Sequence, residues 1–104
     1  SDVYKRQNET YVKYRLPFTM DRYLIRWHPN SGTDIHKHDG KNCDFMMIWG
    51  TLQEVRFDSD NIYSLQDIQQ INMFEKVHIN DDIGYHQIFN LDNMTKISIH
   101  RYYD

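Results

Sequence analysis

The chain has 104 residues, 39% hydrophobic and 14% aromatic, enough to build one domain around a single core and too apolar for a disordered chain. Its 12 basic and 15 acidic residues are interspersed and give a net charge of -3, which leaves no basic surface for a phosphate backbone and excludes nucleic acid as a partner. No apolar stretch reaches the roughly 20 residues of a membrane span, no secretory leader is evident, and the single cysteine rules out an intrachain disulfide, so a cytoplasmic protein with no membrane contact is expected.

The chain opens on SDVYKRQ, polar and aperiodic; residues 1–9 are set apart as a tail that need not be native, and residues 10–104 are taken as the domain. YVKYRLPF (11–18) and RYLIRW (22–27) flank a Thr-Met-Asp connection and predict a hairpin. HPNSG (28–32) is turn chemistry and hands the chain to DIHKH (34–38). After DGKN, the run CDFMMIW (43–49) reads as a strand, and Gly50 breaks it before TLQEVRF (51–57). Within that run Phe45, Met47 and Trp49 alternate with Met46 and Ile48, so one set faces the interior, and Trp49 is assigned to the core.

A further turn, DSDN (58–61), precedes IYSLQDIQQI (62–71), which reads as a strand with a helical middle as the alternative, and EKVHI (75–79). NDDIG (80–84) turns the chain into YHQIFN (85–90), and KISIHRYY (96–103) closes it. Short strands between turn signals, with no alanine anywhere, predict an all-β sandwich or barrel.

His36 and His38 flank one residue of an extended segment, so both imidazoles project to one face while Lys37 faces outward. Two imidazoles on one face can bind one metal, although such a pair alone is explained as well by a polar loop. His86 follows a glycine turn at the start of a strand, where a third ligand could be aimed into a barrel mouth. His28 and His78 fit neither pattern and are read as surface or capping histidines.

Taken together, IHKH, Cys43, Gly50, HINDDIGYHQIFN and SIHRYY resemble the cupin fold and, within it, the thiol dioxygenases, the cysteine dioxygenase family most of all, over about residues 11–103. The first motif runs from His36 through His38 and Cys43 to Gly50; Asn80, Asp81, Ile83, Gly84, His86 and Asn90 match the second; Ser98, His100 and Tyr102 match the closing Ser-x-His-x-Tyr. The resemblance implies a small single-domain cupin barrel, a double-stranded β-helix or jelly-roll, holding Fe(2+) through His36, His38 and His86. Most other cupins place a glutamate where Cys43 stands, so the implied ligand set lacks a carboxylate and keeps more positive charge on the ion for an incoming thiolate.

The implied reaction is oxidation of a small thiol by O2 to a sulfinic acid. L-cysteine is the expected substrate and 3-mercaptopropionate the alternative. The resemblance also implies a thioether between Cys43 and Tyr102, and a relay in which Ser98 orients His100 and His100 orients Tyr102. Cys43 also reads as an inert buried residue or a further ligand suited to zinc. A register slip of one would put Tyr103 in place of Tyr102.

The family holds the substrate carboxylate with the arginine of a Tyr-x-Arg stretch, and here the sequence departs from it. Tyr4 to Arg6 has the letters but lies in the tail; Tyr11 to Lys13 has a lysine instead, and Arg15 shares its face. Lys13 and Arg15 both stand as candidates, a lysine being a point charge where a guanidinium grips a carboxylate with two bonds. Trp27, just before the turn into the metal segment, is assigned to the pocket wall. Family chains are longer on both sides of the barrel, so a less enclosed pocket is expected. The rival readings are a metal-binding cupin without dioxygenase activity and a cupin enzyme using zinc, nickel or manganese. A monomer is expected.

Overall fold

Alternating apolar and polar residues shape the described residues into ten strands, with no helix among them. The structure, a computed structural model, describes residues 10–37, 40–57, 65–80 and 84–104 together with the backbone of Val3–Lys5. The strands are β1 (Val3–Lys5), β2 (Tyr11–Arg15), β3 (Arg22–Trp27), β4 (Ser31–Gly32), β5 (Asn42–Trp49), β6 (Leu52–Phe57), β7 (Leu65–Ile71), β8 (Lys76–Ile79), β9 (His86–Asn90) and β10 (Lys96–Tyr103). They form a six-stranded sheet in the order β1-β2-β3-β10-β5-β8 and a four-stranded sheet in the order β4-β9-β6-β7. β1, inside the stretch set apart as a tail, pairs antiparallel with β2.

The buried face of each sheet meets the other. Ile25, Trp27, Cys43, Phe45, Met47 and Ile79 from the larger sheet pack with Leu52, Ile71 and Ile88 from the smaller. Burying a large aliphatic or aromatic side chain stabilises by roughly 1.5–3 kcal/mol, so this cluster is the main source of stability.

The β2–β3 hairpin has the expected pairing, Tyr11 opposite Trp27 through Arg15 opposite Tyr23. Its strand ends at Arg15 because Pro17 has no N–H for the ladder, and Phe18 then closes the connection at φ 64°. IYSLQDIQQI contains β7, paired with β6 along its length, so the helical alternative is not realised.

Trp49 corrects the expectation drawn from alternation. Ser98 of β10 faces Met47 while the preceding Ile97 faces Trp49, so β5 carries one residue, Ile48, more than its partner. This bulge inverts the alternation. Met47 stays in the core at 0% exposure, and Trp49 turns out to the solvent face beside Ile97 at 51%.

Residues 34–37 likewise form no continuous strand. The Thr33 N–H donates to the Ile88 carbonyl, and His36 exchanges both backbone bonds with His86 at 3.0 Å each. Three steps from Thr33 to His36 therefore oppose two from Ile88 to His86, and the extra residue re-aims His36. His38, Asp81 and Ile83 lie outside the described residues. Gly50 sits at φ +82°, a left-handed turn open to glycine at low cost, and a Cβ there would lie 2.3 Å from Cδ of Lys96.

No helix among the described residues is long and apolar enough to cross a membrane.

Candidate active site

Between the sheets lies a cavity of about 290 Å³. The larger sheet lines it with Lys13, Trp27, Cys43, His100 and Tyr102; the opposite wall includes Thr33, His36 and His86.

On that second wall His36 and His86 face each other across their shared bridge, with Nε2 atoms 3.1 Å apart. Each ring is fixed by its other nitrogen. His36 Nδ1–H donates to the Asp34 carbonyl at 2.7 Å, and a carbonyl only accepts. His86 Nδ1–H donates to Glu54 Oε2 at 2.9 Å. Two neutral rings so arranged turn Nε2 lone pairs toward one another, which is repulsive unless a proton or cation is shared between them. Two nitrogens each about 2.0–2.1 Å from one ion, at right angles, lie roughly 3 Å apart, so the spacing fits a common metal. Among the described residues no group of three His, Cys, Asp or Glu side chains gathers for a metal, and His38 is not among those residues. The donor chemistry therefore fits two neighbouring positions of an imidazole-bound ion.

Glu54 and His86 are both buried, at 0% and 1%. Burial alone would push the Glu54 carboxyl up, but hydrogen bonds from His86, Gln69 and Arg56 and the charge of Arg56 outweigh it, holding the group below the usual carboxylate range. Behind the cavity wall, then, an ionised carboxylate is in contact with a candidate ligand, although no carboxylate was expected in the ligand set itself.

The first wall is built on the β5–β10 pair. Cys43 lies directly opposite Tyr102 in the register. Ser98, His100 and Tyr102 recur at every second residue of β10, with Ser98 and His100 buried and Tyr102 half-buried. Trp27 Nε1–H donates to Ser98 Oγ at 2.8 Å, and Ser98 Oγ lies 2.7 Å from His100 Nε2. With Ser98 donating its proton there, His100 carries its own on Nδ1, which faces Cys43 Sγ at 3.6 Å. Phe45 stacks on the His100 ring at 4.7 Å, fixing its plane.

Burial pushes the Cys43 thiol up to about 12, against a smaller lowering by the Tyr102 hydrogen bond and the Lys13 charge. The Tyr102 phenol is also raised, by burial first and then by Cys43. Both are neutral at physiological pH, two uncharged groups in hydrogen-bond contact at the cavity wall.

Lys13 and Arg15 separate. Lys13 lines the cavity with its Nζ 4.0 Å from the centre of the Tyr102 ring and 4.5 Å from that of Tyr23. Burial lowers its pKa, an effect opposed by Cys43. Arg15 borders a separate surface hollow with Leu16 to Met20 and is not in the cavity wall. The two share a face of β2, but the strand runs out past the cavity rim before Arg15. Tyr103 faces the other side of β10, where its hydroxyl donates to Asp44 at 3.1 Å; Asp44 also accepts from His78 at 2.6 Å. His28 offers its backbone carbonyl to Ser31 and Asn90.

The sequence profile of cysteine dioxygenase type I matches residues 4–104. The chain belongs to the cysteine dioxygenase type I family. Cysteine dioxygenase type 1 of Rattus norvegicus is 27% identical over 84 residues, covering 76% of this chain and 42% of the rat protein, and the Mus musculus protein gives the same figures. The chain thus spans less than half the length of the curated relatives it matches. Among solved structures, the cupin domain of Drosophila melanogaster CENP-C superposes with a TM-score of 0.74 at 9% identity, over 98% of this chain and 74% of that one. A cupin-superfamily sugar phosphate isomerase from Silicibacter pomeroyi does so with a TM-score of 0.70 at 16% identity, over 99% and 68%. These likenesses carry the fold, and the fold is a cupin.

In this family member one residue behind the cavity wall, Glu54, is not singled out by the motifs. Glu54 stands two residues after Leu52 in TLQEVRF, so alternation alone turns both to the same face, and Leu52 is core. A carboxylate on the apolar face of a strand is the signal that could have found it, since a buried charge needs partners.

Proposed function

We propose that this protein is a thiol dioxygenase that uses Fe(2+), held by His36, His38 and His86, to oxidise a small thiol acid with O2. The thiol sulfur is oxidised and O2 reduced: both oxygen atoms end on sulfur, and the thiol proton is retained in the sulfinic acid product. The observation that carries the reading is the meeting, in one cavity, of the facing His36 and His86 nitrogens with the Cys43–Tyr102 pair. When bound, the ion would supply the redox chemistry by which O2 reacts with a thiolate.

The chain's own residues supply the rest. Lys13 at the cavity wall offers a cation for a substrate carboxylate, which would offset the burial that lowers its pKa. A single ammonium orients that carboxylate less strictly than a guanidinium fork would. L-cysteine is the first substrate to try, and 3-mercaptopropionate, which has the carboxylate and the thiol but no amine, the second. Tyr102 donates a hydrogen bond from its neutral phenol at the reacting end. His100, held by Ser98 and stacked on Phe45, keeps the Cys43–Tyr102 pair in place. We further propose that Cys43 and Tyr102 become joined as a thioether, the S–H bond and one ring C–H bond being broken and the two electrons and two protons passing to O2; their direct opposition across β5 and β10 supports it. In this reading the protein works as a cytoplasmic monomer on small molecules alone.

The test is oxygen uptake by anaerobically iron-loaded protein given each thiol in turn, with the product identified by mass. Uptake matched by sulfinate is the expected result. Iron binding without uptake on either thiol would leave a metal-binding cupin in place of an enzyme.

A further inference from the structure

The carboxylate against His86 decides more than ring orientation. Glu54 sits on the inward face of β6, directly opposite Gln69 of β7, diagonal to His86 of β9 and two residues before Arg56. Its Oε2 accepts His86 Nδ1–H at 2.9 Å, and its Oε1 accepts Arg56 Nε–H at 2.8 Å and Gln69 Nε2–H at 2.9 Å. Three donors converge on a side chain that, ionised, can only accept.

We infer that Glu54 is a positioning residue that keeps the His86 proton on Nδ1, so that Nε2 is the nitrogen presented to the cavity. This rests on the reading of His86 as a metal ligand, and concerns how that ligand is made available. The imidazole has two tautomers, and only the one protonated at Nδ1 leaves a lone pair on Nε2, the atom that faces His36 at 3.1 Å. A carboxylate behind a ligating histidine is the usual means of fixing that choice. The remaining two donors hold the carboxylate itself, and Arg56 is the one that cannot reverse its role: a glutamine can turn its amide to offer an oxygen, a guanidinium has none to offer.

That asymmetry gives a specific test. In Glu54→Gln the new side chain has one acceptor end and one donor end. Arg56 claims the acceptor, so the NH2 end is turned to His86, whose Nδ1 must then accept, and its proton moves to Nε2. Replacing Arg56 with methionine in the same chain removes the competing donor, Gln69 turns its amide, and the glutamine oxygen can again accept from His86 Nδ1–H.

The tautomer is read by NMR of 15N-histidine-labelled, metal-free protein with neutral rings, and ion affinity by titration with cobalt(II) and iron(II). The expected results are Nδ1–H in the wild type and in Arg56→Met, and Nε2–H in Glu54→Gln with affinity lowered roughly 10 to 100-fold. Glu54→Gln/Arg56→Met should return to Nδ1–H and to within a few-fold of wild-type affinity, a recovery that loss of packing alone would not give. An Nε2–H tautomer in the wild type overturns the inference whether or not any variant folds, as does a Glu54→Gln protein that keeps Nδ1–H. A double variant as impaired as the single one overturns it too. Wild-type protein that binds neither ion removes the metal reading instead, while the tautomer measurement still decides the role of Glu54.

Discussion

The two walls of the cavity are built by different means. Cys43, Ser98, His100 and Tyr102 stand on two eight-residue strands that pair from Tyr103 opposite Asn42 to Ile97 opposite Trp49, so backbone register fixes where their side chains point. His36 stands on a segment with a single bridge to the neighbouring strand, and its ring and that of His86 are aimed by polar partners, Asp34 and Glu54. A strand pair gives position cheaply but only at a repeat of two residues. A loop with an extra residue reaches other positions and then needs hydrogen bonds to stay there.

Damage to the histidine wall should therefore have the larger consequences, because an isolated bridge ties His36 to β9 and both rings depend on polar partners for their aim. Replacing His86 with alanine is expected to abolish tight iron binding while the β5–β10 wall stays folded; iron content equal to wild type would remove His86 from the site. On the other wall, His100→Ala should lower turnover by roughly 10 to 100-fold, the usual range for a group that orients a reacting partner, with iron affinity unchanged. Wild-type rates there would dismiss the relay.

Mass spectrometry of intact protein after turnover sharpens the contrast further. A loss of two hydrogens is expected in the wild type and not in Cys43→Ser or Tyr102→Phe; the same loss in either variant would place the modification elsewhere. For Lys13, arginine in its place should lower KM for a thiol acid by a few-fold, and alanine should raise it with a smaller effect on kcat. A KM indifferent to both changes would take the carboxylate away from Lys13.

The strand wall also predicts a pH response. The Cys43 thiol has its pKa raised in the folded protein from 9.0 to about 12, so its contribution to stability is intact below pH 9 and is lost as pH rises from there toward 12. The raised Tyr102 phenol acts in the same direction. Denaturant midpoints of the metal-free protein should fall across that range, and less steeply in Cys43→Ser; identical slopes would mean that the thiol ionises as readily folded as unfolded.

How far the sequence is legible follows the same division. Ser98, His100 and Tyr102 were readable as one row because a regular strand repeats every two residues, and β10 is regular there. Trp49 was misread, since the bulge at Ile48 depends on the strand alongside and leaves no mark in CDFMMIW itself. Lys13 and Arg15 were indistinguishable on one face; what separates them is how far β2 extends past the cavity. Glu54 is legible in TLQEVRF as a charge on the core face, but its role is not, because it lies in partners from β7 and β9 that no local pattern connects.

The central claim is tested most directly by turning over L-cysteine, with 3-mercaptopropionate in parallel, under 18O-labelled O2 with iron-loaded protein. The account predicts a sulfinate in which both oxygen atoms carry the label. A product without label, or iron-loaded protein that consumes neither thiol, would contradict it.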